Sequence, residues 1–329
     1  MEQDKIDALI NQINKLNLEG KELSMSDDRN NLTEAIEKHK EAVLLADSRD
    51  ISPDYLAYSQ ANAAYALRQR DNDKDLINVL ENTLDDTNIA FDTNRYDETF
   101  FGRGFLLEEA GLVKRFNLSK DNPVSDLKEG LDYIEKSLEL YEKASVNAEN
   151  EIVDASVIYD KLFRTTGIAS TISSDLSKIT DGEEREKYLD LSVEYAQKEV
   201  DSRLEIGETE GRNLANAYHT LGSAKTELVD MQPELYESAK QDIYTAKKLV
   251  TSGLVQSVLN FRLAWLEYKY NPENVSVIEE YVDKVISDQE EVSKTWGPTV
   301  KAKLKEDMYT LGEHLGGDYT SRIDGMFLQ

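Results

Sequence analysis

Apolar residues recur every three or four positions along most of the chain, the period of an α-helix that buries one face. Near the end Val300, Leu304, Met308, Leu311 and Leu315 follow this spacing, and Gly316-Gly317 comes next as a helix stop. Elsewhere the pattern breaks at polar knots: Arg70-Asp71-Asn72-Asp73, Ser119-Lys120-Asp121-Asn122, Thr180-Asp181-Gly182 and Asn271-Pro272-Glu273. The segments between them predict about thirteen helices of roughly 15 to 25 residues. Alternating β-branched strands bounded by turns are absent.

All five prolines, at positions 53, 123, 233, 272 and 298, stand where a helix could start. Proline suits the first helical position because its missing N–H would have no partner there. Ser52, Asn122 and Asn271 before three of them can cap. The fold class is all-α, and short turns between helices of similar length make sequential antiparallel hairpins the expected connectivity.

Several hairpins share a pattern. A small residue, a larger one four positions on and a second small one three further occur as Ala35, His39 and Ala42, as Gly130, Ile134 and Ser137, and as Ala239, Ile243 and Ala246. Tyr218-His219-Thr220-Leu221-Gly222 supplies an aromatic followed by a Leu-Gly pair. Two hairpins keep an uninterrupted spacing. One has Gln60, Ala63-Ala64 and Leu67 before Leu76, Leu80 and Thr83; the other has Phe261, Ala264-Trp265 and Tyr268 before Val277, Tyr281 and Lys284. These segments resemble tetratricopeptide repeats, in which small residues let helix A approach helix B of its own repeat. The anchors Ala35, Leu76, Gly130, Ser192, Ala239 and Val277 are 38 to 62 residues apart, against a family period of 34, and the proline closing each repeat is missing.

The resemblance implies a right-handed α-solenoid of about six antiparallel hairpins over residues 1–290. Residues 291–329 then form a C-terminal capping helix, from Pro298 to Leu315, and a tail, since the last repeat must cover its open face. The tail, Asp324 to Gln329, is apolar at its end and either docks on the last repeat or the groove, or frays.

Composition narrows the function. The chain has 329 residues, 38 Lys and Arg against 65 Asp and Glu, and a formal charge of −27. Such an excess disfavours nucleic acid and anionic membranes, which need basic patches. With no cysteine, disulfides, thiolate metal sites and thiol catalysis are excluded. The charged amphipathic N-terminus does not read as a secretory signal, and no apolar run approaches the ~20 residues of a membrane span. A cytoplasmic protein is expected, so Asn31-Leu-Thr33, Asn117-Leu-Ser119 and Asn274-Val-Ser276 are chance glycosylation triplets.

Motifs for chemistry fail on inspection. Asp71-Asn72-Asp73-Lys74-Asp75 begins like a calcium loop but has Leu76 for the required Gly and Asn82 for the bidentate Glu. Gly102-Arg103-Gly104 lacks both a preceding strand and the third Gly. Asp85-Asp86 resembles the magnesium-binding acidic pair of helical terpenoid synthases, but Ile89 stands where the third Asp belongs. His39, His219 and His314 are too scattered for a metal motif. No cofactor or metal is expected, and no enzymatic activity.

Arginine is distributed unevenly. Seven of the 13, Arg68, Arg70, Arg103, Arg115, Arg164, Arg212 and Arg262, fall in the helices that correspond to helix A, which the resemblance places on the concave groove. Arg212, Asn216, His219, Ser223 and Thr226 form one polar stripe, and Tyr58, Asn62, Tyr65 and Arg68 or Gln69 another. The expected binding residues are Asn62, Tyr65, Arg68, Arg103, Arg164, Arg212, Asn216, His219 and Arg262. Asn would bond the main chain of an extended peptide, and Arg would fork onto an acidic side chain or C-terminal carboxylate. The competing reading pairs these arginines with neighbouring Asp and Glu.

The expected function is a non-enzymatic scaffold that binds a protein or peptide segment. The alternatives are an enzyme on a helical toroid or a small-ligand or peptide receptor. Oligomeric state is left open.

Overall fold

The computed structural model describes residues 2–25, 28–47, 51–70, 100–116, 118–119, 121–250, 253–287 and 298–327. Among them are thirteen α-helices, two 3-10 turns and no strand. The calcium-loop mimic, Asp85-Asp86, the anchors Leu76, Leu80 and Thr83 and the expected boundary at 290/291 lie outside the described residues.

The fold divides into two compact units, Met1–Asp181 and Gly182–Gln329. The first contains α1 (Glu2–Ser24), α2 (Arg29–Ala46), α3 (Pro53–Arg70), α4 (Phe101–Phe116), α5 (Pro123–Val146) and α6 (Ala155–Ser177). The second contains α7 (Gly182–Glu205), α8 (Arg212–Leu228), α9 (Tyr236–Leu249), α10 (Gly253–Tyr270), α11 (Val275–Ser287), α12 (Pro298–Leu315) and α13 (Tyr319–Phe327). Within each unit every helix packs on the next. In addition α1 touches α3, α4 touches α6, α8 touches α10 and α10 touches α12.

The local signals explain most boundaries. Pro53, Pro123 and Pro298 open α3, α5 and α12, and Pro233 opens a 3-10 turn. Asn122 caps α5 through its side chain to the Ser125 N–H, and Asp28 caps α2 through the Asn30 N–H. Pro272 departs from expectation: it sits in a turn, and α11 begins at Val275. There the Asn274 carbonyl, not that of Asn271, accepts from Val277 and Ile278 N–H. Gly316 and Gly317 take positive φ angles of 71° and 63°, ending α12.

Glycine sets the spacing between paired helices. A Cβ on Gly111 of α4 would lie 2.8 Å from the Gly130 carbonyl oxygen and 2.7 Å from Ile134 Cγ1 of α5. On Gly222 of α8 it would lie 2.7 Å from Ile243 Cγ1 of α9, and on Gly20 of α1 2.6 Å from the His39 ring of α2. Gly312 of α12 meets Ile323 of α13 in the same way, at 2.7 Å. In the first three pairs the facing residue is the larger member of the small–large–small pattern read from the sequence.

Each unit holds a large hydrophobic cluster. In the first, Phe101, Phe105 and Leu106 of α4 pack with Tyr141 of α5, Ile158 of α6 and alanines of α3. In the second, a core runs from Ile243 of α9 through Leu263 of α10 and Val282 of α11 to Met308 of α12. It takes in Ile323 and Met326 of α13, so the tail is a docked helix through Phe327 and not a frayed end. No helix among the described residues is long and apolar enough to cross a membrane.

Candidate functional site

The nine expected binding residues fall into two sets. Asn62, Tyr65 and Arg68 of α3, Arg103 of α4 and Arg164 of α6 belong to the first unit. Arg212, Asn216 and His219 of α8 and Arg262 of α10 belong to the second.

In the first unit the arginines face internal carboxylates. Glu108 and Glu109, adjacent on α4, are both 0% exposed. Arg68 forks onto Glu109, with Nε 2.9 Å from Oε2 and Nη2 3.3 Å from Oε1. Glu108 accepts from Tyr141 Oη at 2.9 Å, Thr165 Oγ1 at 3.1 Å and Lys161 Nζ at 3.1 Å. Arg164 Nη2 lies 3.5 Å from its other oxygen. Lys161 is also 3.4 Å from the centroid of the Phe105 ring. Burial raises the Glu108 pKa, but Lys161, Arg164 and the bonds from Tyr141 and Lys161 outweigh it and hold the carboxyl below its usual range. Asn62 is buried and donates to the Tyr58 carbonyl of its own helix at 2.9 Å. Tyr65 lies beside Arg68, whose Cζ is 5.5 Å from the ring centroid.

Arg103 is 4% exposed, close to a second acidic group. Asp54, at the start of α3, accepts from the Gly102 N–H with both oxygens, at 3.0 and 3.1 Å. Glu151, from the α5–α6 connection, accepts from the Phe100 and Phe101 N–H groups at 2.7 and 2.9 Å. Two carboxylates thus satisfy the first N–H groups of α4, which otherwise have no helical partner. Burial first, and then Glu151, push the Asp54 pKa up to about 7.

The second set is arranged differently. Helical spacing puts Arg212, Asn216, His219 and Ser223 on one face of α8. Arg212 and Asn216 are exposed, while His219 and Ser223 are half-buried. Arg262 projects from the neighbouring α10, with its Cζ 5.4 Å from the Phe261 centroid. His219 Nε2, Ser223 Oγ and Arg262 Nε are covered, yet none has a hydrogen-bond partner among the described residues. Leaving such an atom unpaired costs about 1–3 kcal/mol. Burial, and then the Arg262 cation, push the His219 pKa down to about 3, so the imidazole is neutral at physiological pH. The covered part of the site therefore combines the Arg262 cation, a hydroxyl and a neutral imidazole, with Arg212 exposed at the start of the same α8 face.

No protein-family model matches the chain, and no curated protein matches it. Among the described residues no group of three His, Asp or Glu side chains could hold a metal ion.

The α8 stripe, Ser223 included, is visible in the sequence, but Ser223 is not among the nine expected binding residues. Asp54, Glu108, Glu109 and Lys161 are absent from that set as well. A signal existed for two of them: Glu108-Glu109 interrupts Phe101–Val113, an otherwise apolar run apart from Arg103. Nothing local marks Lys161 or Asp54.

Proposed function

We propose that the chain is a non-enzymatic scaffold that binds a protein or peptide segment, built as a right-handed α-solenoid of tetratricopeptide-like hairpins. The repeated glycine-to-large-residue crossings support the repeat reading, as does the packing of α8 on α10, the helices assigned to the groove. The observation that carries the binding reading is the unmatched trio of His219 Nε2, Ser223 Oγ and Arg262 Nε. A peptide carboxylate, from an acidic side chain or the C-terminus, would accept from the guanidinium and the hydroxyl. Asn216 and Arg212, exposed on the same helix, would bond the adjoining peptide main chain. The first-unit arginines contribute less on this reading, because Arg68 and Arg164 already face Glu109 and Glu108.

The test is a titration of the full chain with matched peptide pools ending in a free carboxylate or an amide, followed by fluorescence anisotropy. Preference for acidic or free-carboxylate peptides, lost by at least tenfold in Arg262→Glu and reduced in Ser223→Ala, is the expected result. Equal affinity of wild type and Arg262→Glu would remove the assignment. The His219 ring gives a second readout in NMR: replacing Arg262 with Gln removes one cause of the depressed pKa and raises it.

A further inference from the structure

A groove of about 610 Å³ runs along α7 in the second unit. Its apolar floor is made by Val193 of α7, Leu228 at the end of α8 and Leu235 of the following 3-10 turn. The α7 wall is polar, and positions 190, 194, 197, 201 and 205 line it at intervals of three or four residues. At ~1.5 Å per residue this wall is about 22 Å long. Asp190, Glu194, Asp201 and Glu205 are all exposed along it, with Lys198 the one basic group among the lining residues.

These carboxylates differ from others in the unit. Asp242 is met by Lys225 at 2.7 Å, Glu267 by Lys240 at 2.7 Å and Asp283 by Arg322 at 2.8 Å. Asp190, Glu194 and Glu205 have no ion-pair or hydrogen-bond partner among the described residues, and Asp201 accepts only the amide of Gln197 at 2.9 Å. The groove thus joins an apolar floor to negative charge that the fold does not use.

We infer that this groove is a second docking surface, and that its occupant is a basic amphipathic segment of another protein. The apolar side of that segment would cover Val193 and Leu235, while Lys or Arg side chains would meet Glu194, Asp201 and the two ends of the wall. Charge complementarity selects the partner and speeds its arrival, because the field of a chain at −27 attracts cations from a distance. The surface is independent of the α8–α10 site, whose fixed charge has the opposite sign.

The test uses the full chain and a fluorescent amphipathic peptide of leucine and lysine, with a leucine–glutamate counterpart as the control probe. Because any cation is drawn to so acidic a protein, two charge reversals of equal size are compared. One is Glu194→Lys/Asp201→Lys in the groove; the other is Glu139→Lys/Glu142→Lys on the exposed face of α5. The expected outcome is a loss of about tenfold in affinity for the lysine peptide in the groove variant only, equivalent to ~1.4 kcal/mol. A milder groove variant, Glu194→Gln/Glu205→Gln, is expected to lose about threefold and covers the case in which the reversal disturbs α7. Equal losses in the groove and α5 variants would show general attraction and overturn the proposal. So would absence of binding by the wild type.

Discussion

A carboxylate with no exposed surface keeps its charge only where other groups replace its water, and at Glu108 those groups are Tyr141, Lys161, Thr165 and Arg164. Removing one member of a buried pair strands the other, at a cost of about 3–5 kcal/mol. Glu108→Gln should therefore lower the urea midpoint strongly with little change in slope. Glu108→Leu/Lys161→Met, which removes both charges, should recover most of that loss; a double variant as unstable as the single one would contradict this account. Asp54 gives a pH dependence of definite sign. Its folded pKa of about 7 lies above the unfolded value near 3.8, so the folded state binds the extra proton between them. This contribution is fully present below about pH 4 and is lost as pH rises through 7. The stability of Asp54→Asn relative to wild type should accordingly grow from pH 4 to pH 8 in urea titrations; a pH-independent difference would refute the linkage. Neither residue was selected from the sequence, because burial of a charge depends on which helices surround it.

Helix pairs reveal more of themselves in the sequence than single charges do. The small–large–small pattern at Gly130, Ile134 and Ser137, and at Ala239, Ile243 and Ala246, marks crossings where glycine of the preceding helix meets the large member. Gly20, Gly111 and Gly312 were not legible as contact residues, since a glycine inside a helix reads simply as a weak position. Their role is set by the residue that faces them on the next helix. Gly111→Ala should be the more damaging crossing variant, because its Cβ would press on the Gly130 backbone, which cannot rotate away. Overpacking of this kind costs about 1–3 kcal/mol. Gly222→Ala should cost less, because its nearest contact, Ile243 Cγ1, can shift, and the backbone atoms Ala239 O and Ile243 N lie farther off, at 3.2 Å. Exposed Gly325 in α13 has nothing within 4 Å of its Cβ position. There alanine should be neutral or stabilising by up to about 1 kcal/mol, through its higher helix propensity. Thermal denaturation of the three variants should rank them in that order. Proline position was legible for the same local reason that Pro272 misled: Asn271-Pro272 looks like a helix start, but Asn274 supplies the first carbonyl.

Across the whole molecule, the all-α class was readable because helical periodicity is a property of neighbouring residues, whereas the division at Asp181 was not. Thr180-Asp181-Gly182 reads as one more hairpin turn, and the sequence suggests a boundary only at 290/291. Phe101, Tyr141 and Ile158 are buried with partners from residues 1–181, and Ile243, Leu263, Val282 and Met308 with partners from residues 182–329. Each unit exceeds about 100 residues, a size at which one hydrophobic core commonly sustains a domain. The fragment Gly182–Gln329, produced alone, should therefore retain helical circular dichroism and a sigmoidal urea transition. Gly222→Ala should shift that transition to lower urea. Because α7, α8 and α10 all lie in this fragment, it should also bind both the free-carboxylate peptides and the leucine–lysine peptide with the affinity of the full chain. A folded fragment that bound neither would overturn both surface assignments. A fragment without a cooperative transition would show that its core is not self-sufficient.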